Sequence, residues 1–202
     1  MIGAEAKMSP SVVFILGPPG AGKGTQGQRI AETFGYYHIS AGELLRQEQA
    51  KPGSKHGELI GEYLLKGKLV PADLICDLLK AEMNEAFKNE QKDRFLVDGF
   101  PRNMSNLEGW FSYGFSNDVL PLKFVLFLDC CLEESQNRCL NRSSNGDRRN
   151  DDNVDTLRKR FETYLNYTTP VLEYFAREGL LRRVDANRSQ DEVFEDVKVL
   201  FR

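Results

Sequence analysis

This sequence lacks the features that indicate a membrane span, a signal peptide, a strongly basic surface or a cysteine-based metal site. No apolar run reaches the roughly 20 residues that a membrane-spanning helix needs, and residues 1–7 lack the apolar core of a signal peptide. The formal net charge of −3 argues against nucleic-acid binding through overall charge. The four cysteines show neither Cys-x-x-Cys pairs nor zinc-site spacing, which predicts buried or half-buried free thiols in a reducing compartment. We therefore expect a soluble protein of the cytoplasm, with the nucleus as a second candidate location.

Histidine is also scarce. The two histidines are His38, in a predicted strand, and His56, in a helical segment, and we expect both to be structural. The chain therefore has no strong candidate for a general base. A phosphate acceptor needs none, since its oxygen is already an anionic nucleophile, whereas a sugar or protein hydroxyl usually requires a positioned carboxylate.

The most informative segment is a glycine-rich run, residues 17–25 (GPPGAGKGT), directly after the apolar stretch 11–16. Glycines let the backbone turn tightly so that successive N–H groups face an anion, and a helix that begins within the run adds its positive dipole end. Lys23 supplies a cation for the phosphates. The run fits the spacing Gly-x4-Gly-Lys, but Gly24 stands where a magnesium-binding Ser or Thr normally follows, with Thr25 one residue later. The pattern predicts a phosphate-binding loop between a strand and a helix.

Short apolar runs alternate along the chain with longer amphipathic ones, which is typical of a parallel sheet covered by helices. Residues 124–128 (FVLFL) are continuously apolar, as expected for a strand that is buried on both faces. Together with the phosphate loop, this pattern predicts an α/β fold of the P-loop NTPase type with five parallel strands. The predicted strands are 11–16, 36–39, 94–97, 122–129 and 181–185.

Two segments depart from this alternation. Residues 40–79 are predicted to form an all-helical insertion between the second and third strands. The polar stretch 143–153 contains glycine and many charges, which is typical of a mobile loop.

Two helices near the carboxyl terminus carry sequence signals of their own. Residues 158–175 predict a long helix in which Pro170 causes a kink or a break. Ser189, with Glu192 three residues later, predicts a capping box at the start of the last helix.

The third predicted strand is followed by an aspartate. Asp98 comes after the apolar residues 95–97 and precedes Gly99. The carboxyl end of a buried strand, beside a phosphate loop, is where Mg²⁺ is expected. Because Mg²⁺ usually keeps several waters, we expect Asp98 to hold it through a water molecule. The alternative is an ordinary Asp-Gly turn.

Arginines are concentrated where the loops at this edge of the sheet are expected to converge. Each one alone is commonly a solvated surface residue, but a guanidinium can also bind phosphate oxygens bidentately. Beside a phosphate loop, the group predicts neutralisation of two anionic ligands, which phosphoryl transfer requires because its transition state spreads charge over the migrating oxygens. These arginines are Arg46, Arg102, Arg142, Arg148, Arg149 and Arg160.

Four motifs in this order resemble the nucleoside monophosphate kinase family, the adenylate kinase-like enzymes, from about residue 12 to residue 201. The first is the glycine-rich loop, whose Gly24-Thr25 ending is this family's own form. The others are residues 40–46 (SAGELLR), residues 98–102 (DGFPR) and residues 149–153 (RNDDN).

The resemblance implies one kinase domain over residues 10–202, after a loose tail at 1–9. Its core would bind ATP with Mg²⁺, the insertion 40–79 would bind the monophosphate, and a short lid at 143–153 would close over both. The core comprises residues 10–39, 80–142 and 154–202. The sequence has no evident heptad pattern or extended apolar surface run, so we expect a monomer that acts on small molecules, with neither nucleic acid nor a membrane as partner.

The resemblance also implies roles for individual residues. The catalytic set would be Lys23, Arg102, Arg142, Arg149 and Arg160, with Arg148 as the alternative to Arg149 because the lid is one residue longer than in similar proteins. ATP would contact Gly20, Ala21, Gly22, Lys23, Gly24, Thr25, Arg142 and Arg188. The acceptor would contact Ala41, Arg46, Lys68, Leu69, Val70, Gly99, Phe100, Pro101, Arg102, Asn106, Arg149 and Arg160.

Two of these positions bear on the acceptor base. By the resemblance, Ala41 stands where adenylate kinases carry threonine, and Asn106 lies near their adenine-reading glutamine. The shorter amide of Asn106 still offers a donor and an acceptor, which suits a pyrimidine. UMP, CMP and also dCMP are therefore the expected acceptors, and AMP is the alternative. A purely structural reading is that Asn106 caps the helix after Arg102.

Two further classes are less consistent with the sequence. A nucleotide-dependent switch such as a GTPase would need a guanine-reading Asn-Lys-x-Asp, which this chain lacks. A catalytically silent relative is disfavoured because every charged position expected for phosphoryl transfer is filled.

Overall fold

The fold is centred on a five-stranded parallel sheet with the strand order β2-β3-β1-β4-β5. The structure is a computed structural model that describes residues 10–115, 120–144 and 154–202, with the backbone alone for 142–144. The strands are β1 (Ser11–Leu16), β2 (Tyr37–Ser40), β3 (Arg94–Asp98), β4 (Leu122–Asp129) and β5 (Leu181–Asp185). The predicted five-stranded α/β fold is confirmed.

The central strand β1 has no solvated face. Its six residues are all buried, and the five apolar ones that follow Ser11 alternate between two apolar clusters on opposite sides of the sheet. Phe14 lies on one side, in edge contact with Phe100 and Trp110. Ile15 lies on the other, in the cluster that includes Ile30. A strand that is covered on both faces must be apolar at every position, which explains why its sequence does not alternate.

The predicted bounds of β1, β4 and β5 agree with the structure. The other two strands each end one residue later than predicted, at Ser40 and Asp98, which pair with each other, and β2 also begins one residue later, at Tyr37. This last pair carries Asp98 to the carboxyl edge of the sheet while it is still part of a strand.

The helices are α1 (Lys23–Phe34), α2 (Ala41–Ala50), α3 (Gly57–Leu65), α4 (Ala72–Glu90), α5 (Met104–Ser112), α6 (Leu132–Ser144), α7 (Val154–Thr163), α8 (Thr169–Arg177) and α9 (Gln190–Leu200). The predicted insertion is helical, but α4 continues through its expected end at residue 79. The buried stripe of α4 extends from Leu74 to Ala86, so one helix serves both the insertion and the core. No helix in the described ranges is long and apolar enough to span a bilayer.

The long helical run around Pro170 contains a wider turn instead of a break. A π turn, Tyr164–Thr168, joins α7 to α8, and Pro170 lies at the start of α8. Proline lacks an N–H and its ring crowds the carbonyl four residues earlier, so a widened turn just before it keeps the chain helical.

Of the two helix caps considered from the sequence, one is present in the structure and the other is not. Ser189 and Glu192 form the predicted capping box of α9. The interpretation of Asn106 as a cap is wrong, since the cap of α5 is Asn103, whose side chain accepts a hydrogen bond from the backbone N–H of Asn106 at 2.7 Å.

The cysteine prediction is confirmed for three of the four thiols. All four are free, and Cys76, Cys130 and Cys139 are buried, but Cys131 is exposed. Most of the predicted lid (145–153) and the tail (1–9) lie outside the described residues.

Candidate functional site

The phosphate loop opens into a large cavity at the carboxyl ends of the strands. The cavity has a volume of about 1080 Å³ and is lined by the loop, the helical insertion, the ends of β2 and β3, and parts of α6, α7, the π turn after α7 and the start of α9. In open parallel sheets, ligands bind at this edge. The volume exceeds the usual range of about 300–1,000 Å³ for a drug-sized ligand, so there is space for two bound molecules.

The phosphate loop is held in shape by its own lysine and by α6. The ammonium of Lys23 donates hydrogen bonds to the carbonyl oxygens of Gly17 at 2.9 Å and Pro18 at 2.8 Å. Gly20 has a φ of +86°, and a Cβ at this position would lie 2.2 Å from the carbonyl oxygen of Ser135. Only glycine therefore fits where the loop meets α6. Contacts within the protein therefore hold the shape of the anion cradle.

The charge of Lys23 depends on its surroundings. The pKa of Lys23 is lowered from 10.5 to about 8, mainly by burial; the negative charge of Asp98 opposes this, and the nearby Arg102 and Arg160 add to it. A bound polyphosphate would favour the protonated ammonium, because an opposite charge stabilises the charged form. The cation is therefore poised to respond to an anionic ligand.

Asp98 is a buried carboxylate that stays ionised. Burial acts to raise its pKa, but the hydrogen bond with His38 and the charges of Lys23 and Arg102 outweigh it, so the pKa lies below its ordinary value. Its Oδ2 is 3.3 Å from Nε2 of His38. The histidine ring in turn lies against α1 at Gly27, where a Cβ would be 2.5 Å from Nε2. The ring therefore fixes the carboxylate beside the loop.

This arrangement fits Mg²⁺ bound together with a polyphosphate. Among the described residues, no group of three or more His, Cys, Asp or Glu side chains could hold a metal alone. Mg²⁺ is usually bound by one or two carboxylates together with substrate phosphates and water. An ionised Asp98 beside a phosphate loop offers that set of ligands, and the chemistry supplied would be charge neutralisation of the phosphates.

Two arginines outside the phosphate loop converge on α2. The guanidinium groups of Arg46 and Arg102 both lie near Gly42, at 3.5 Å and 3.6 Å from the position that a Cβ would occupy. Arg46 is paired with Glu43 at 2.8 Å. Nε of Arg102 donates to the carbonyl oxygen of Gly99 at 2.6 Å. Two guanidinium groups over one glycine form a site for a single multivalent anion such as a phosphate.

A small recess of about 30 Å³ adjoins the cavity and shares several of its lining residues. Its lining includes Ala41, Val70, Phe100 and Asn106. Oδ1 of Asn106 accepts a hydrogen bond from the backbone N–H of Arg102 at 3.1 Å. Because a backbone N–H can only donate, the carbonyl end of this amide is occupied and its NH₂ group remains as the donor for a ligand.

A further part of the lining comes from α6 and the loop before α9. The guanidinium of Arg138 donates to the carbonyl oxygens of Ala186 at 2.8 Å and Arg188 at 3.1 Å. The side chain of Arg188 pairs with Asp185 and Asp196. The loop is therefore fixed to α6 by one arginine and to α9 by another.

The comparison with known families agrees with this geometry. The family model for adenylate kinase matches residues 15–180, which include the loop, the insertion and the arginine-bearing segments. The chain belongs to the adenylate kinase family. The predicted family and the predicted class, an ATP-dependent nucleoside monophosphate kinase, are thereby confirmed.

Curated relatives within the adenylate kinase family are similar over nearly their whole length. The UMP-CMP kinase of Danio rerio is 49% identical over 192 residues, which cover 95% of this chain and 96% of that protein. The UMP-CMP kinase of Gallus gallus is 49% identical and that of Homo sapiens 48% identical, each over 195 residues that cover 96% of this chain and 98% of the relative.

The structure brings most of the residues expected from the adenylate kinase resemblance to the two cavities. The large cavity is lined by Gly20, Gly22, Lys23, Gly24, Thr25, Arg46, Lys68, Leu69, Asp98, Gly99, Arg102, Arg160 and Arg188. The recess is lined by Ala41, Val70, Phe100 and Asn106, together with several of the same residues.

Four expected residues are placed differently or are not described. Ala21 is 2% exposed in the core, and its backbone N–H donates to Pro18 within the loop at 3.2 Å. Pro101 is buried and lines neither cavity. Arg142 is described by its backbone alone, in α6. Arg149, like its alternative Arg148, lies outside the described residues.

Several residues that line the cavity were missed by sequence reasoning. His38 was expected to be purely structural, but it lines the cavity and contacts Asp98. Arg138 precedes Arg142 by one helical turn, and this spacing after the fourth predicted strand was the available signal. Thr163 and Thr168 line the cavity around the π turn, and nothing in their local sequence indicated it.

Proposed function

We propose that the protein is a UMP-CMP kinase, which reversibly transfers the γ-phosphoryl group of ATP to UMP or CMP, and also to dCMP, giving ADP and the nucleoside diphosphate. The observation that carries the proposal is one continuous cavity that extends from the phosphate loop to Arg46 and Arg102. A donor polyphosphate on the loop and an acceptor phosphate on the arginines would share that space. The names of relatives at 48–49% identity support the choice of pyrimidine acceptors.

The chain's own residues would act through charge and position. In the proposed reaction, Lys23 and the loop N–H groups hold the donor phosphates, and Arg46 and Arg102 hold the acceptor phosphate. Arg160, whose charge acts on Lys23 and which lines the same cavity, would stabilise the charge on the migrating phosphoryl. The acceptor oxygen is already an anion, so no side chain has to remove a proton from it. Asp98 would hold Mg²⁺ against the donor phosphates.

The recess supports a pyrimidine as the acceptor base. Its volume of about 30 Å³ holds about one water, so its contribution is the donor that it offers to the edge of a base lying in the adjoining cavity. Asn106 offers its NH₂ group as a donor there, since its carbonyl oxygen already accepts from the N–H of Arg102. Uracil and cytosine both present O2 as an acceptor at the same position of the ring. One fixed donor can therefore serve both bases, which is the reason to propose UMP and CMP together.

A coupled ADP-release assay with ATP and Mg²⁺ tests the proposal, with UMP, CMP, dCMP, AMP and GMP offered separately. ADP release without an acceptor is the background. Turnover that is confined to the pyrimidine nucleotides supports the proposal. A preference for AMP would overturn the assignment of the base recess, and background rates with every acceptor would overturn the proposed reaction itself.

Two variants of Asn106 sharpen the assignment of the base. Asn106→Asp keeps an oxygen for the N–H of Arg102 but replaces the NH₂ donor by a second acceptor, so we expect kcat/KM for UMP and CMP to fall about tenfold or more. Asn106→Gln has a longer side chain, and we expect it to shift acceptor preference away from pyrimidines. Unchanged preference in both variants would remove Asn106 from base recognition.

A further inference from the structure

Three threonines on the helical segment after the lid contact the backbone around the acceptor site. The hydroxyl of Thr156 donates to the carbonyl oxygen of Leu65 at 3.3 Å, and that of Thr163 donates to the carbonyl oxygen of Gly67 at 3.0 Å. The hydroxyl of Thr168 donates to the carbonyl oxygen of Arg102 at 2.9 Å. We call Thr156, Thr163 and Thr168 the threonine face. All three bonds join segments that are more than sixty residues apart in the chain.

The π turn is what places the third threonine on this face. Thr156 and Thr163 are seven residues apart on α7, so they lie on the same side of the helix. In a continuous α-helix, a residue five positions after Thr163 would lie about 140° away around the axis. A turn with i→i+5 bonds brings that position back to the same side. In agreement, Thr168 is 4% exposed while its neighbour Tyr167 is 55% exposed.

The turn between α3 and α4 approaches α7 too closely for a side chain. Gly67 has a φ of +63°, and a Cβ there would lie 3.0 Å from Cβ of Lys159 and 3.3 Å from the carbonyl oxygen of Thr156. The next two residues, Lys68 and Leu69, line both the cavity and the recess. The position of this turn against α7 therefore determines the position of one wall of the acceptor site.

We propose that Thr163 and Thr168 are positioning residues for the acceptor. They join the turn between α3 and α4, and the backbone at Arg102, to the helical segment that carries Arg160. Arg160 lies on the same side of α7 as the threonine face, three residues before Thr163. The face thus fixes the distance between the recess, the guanidinium of Arg102 and the guanidinium of Arg160. The inference rests on the proposed function for its kinetic consequence, but the contacts themselves can be tested without turnover.

The kinetic test compares Thr163→Val, which removes the hydroxyl and keeps the shape, with Thr163→Ser, which keeps the hydroxyl. We expect Thr163→Val to raise KM for UMP and CMP roughly tenfold with KM for ATP unchanged, and Thr163→Ser to restore the wild-type value. Thr168→Val is expected to lower kcat severalfold, because it removes the hydroxyl that donates to the carbonyl oxygen of Arg102. Thr169→Val, next to it in the chain but not lining the cavity, is the control. Equal changes in both KM values, or none, would overturn the proposal.

Gly67 provides a second test with a closely matched control. Gly67→Ala adds a methyl group that must push the turn off α7, and it should reproduce the selective rise in acceptor KM. Gly53→Ala places the same residue at a φ of +75° with no neighbour within 4 Å. It carries the same backbone strain without the contact, so its acceptor KM should remain that of the wild type. A rise of the same size in Gly53→Ala would overturn the proposal.

Hydrogen–deuterium exchange separates this inference from the proposed function. In the nucleotide-free protein, Thr163→Val should speed exchange of the amides at 65–69 and leave the loop at 17–25 unchanged, whatever the acceptor turns out to be. Unchanged exchange at 65–69 would overturn the inference. A wild-type protein that phosphorylates no monophosphate would overturn the proposed function alone, and the exchange result would still decide whether the threonine face holds the turn.

Discussion

The two halves of the cavity are built in different ways. The donor half is one short segment, residues 17–25, whose lysine binds its own loop carbonyls and whose glycines determine its shape. The acceptor half draws on α2, the turn between α3 and α4, the segment after β3 and the helix after the lid. A local site can be preformed by its own backbone, whereas a dispersed site depends on tertiary contacts that hold its parts together.

Removal of Arg102 is expected to have the largest effect. Arg102→Ala takes away a guanidinium from the acceptor side, and we expect kcat to fall by about 10²- to 10³-fold with the fold intact. Steady-state kinetics and a thermal midpoint measure the two quantities. Arg177→Ala, at an exposed position in the last turn of α8, is the matched control. Near-wild-type turnover in Arg102→Ala would remove the acceptor half from the mechanism.

Alanine substitutions in the loop test whether the donor half is rigid because it packs on α6. Gly22 has a φ of +87° and no neighbour within 4 Å of a Cβ, so Gly22→Ala should cost about 1–2 kcal/mol of unfolding free energy through backbone strain. Gly20→Ala has similar strain and also meets the carbonyl oxygen of Ser135, so its cost should be about 1–3 kcal/mol greater. Urea denaturation of the nucleotide-free proteins measures both. Equal losses would contradict close packing at Gly20.

The pH dependence of the donor half should follow Lys23. The free enzyme loses the ammonium charge as the pH rises through about 8, so kcat/KM for ATP should decline above that pH, up to tenfold per unit. Bound phosphates favour the charged form, so kcat at saturating ATP should hold to a higher pH. An arginine stays charged over this pH range, so in Lys23→Arg the decline of kcat/KM for ATP should disappear. The same decline in Lys23→Arg would assign it to another group.

The smallest expected effect comes from a substitution in the acceptor half, Gly42→Ala. Gly42 lies within α2, where alanine favours the helix, so Gly42→Ala should leave stability unchanged or raise it by up to about 1 kcal/mol. Its methyl group would lie 3.5–3.6 Å from the guanidinium groups of Arg46 and Arg102 and compete with a phosphate there. We expect a severalfold rise in acceptor KM and no change in KM for ATP. A change in KM for ATP alone would contradict the division between the two halves.

The donor half could be predicted nearly whole because its chemistry is contiguous in the chain. Strand, glycine loop, lysine and helix start follow one another within residues 11–34, and the structure agrees with each. Asp98 could be placed as well, since the carboxyl end of a buried strand in a parallel sheet lies at the same edge. The role of His38 was missed because its contact with Asp98 joins two strands sixty residues apart.

The acceptor half was predictable only as a list of residues. The motifs indicated Arg46, Arg102 and Asn106, but the amide orientation of Asn106 depends on the N–H of Arg102, which the fold supplies. The π turn before Pro170 was expected as a kink or a break. It is a widened turn that keeps the chain helical before Pro170 and brings Thr168 to the same side as Thr163.

The sequence by itself determined the sheet, the phosphate loop and the residue types that can neutralise two anions, since apolar runs, glycines and arginines act through local chemistry. The tertiary structure alone decided which arginines meet and how the turn at Gly67 is held. Those are distances between segments far apart in the chain. The physical reason is that such distances depend on packing and hydrogen bonds across the fold, which no single stretch of sequence contains.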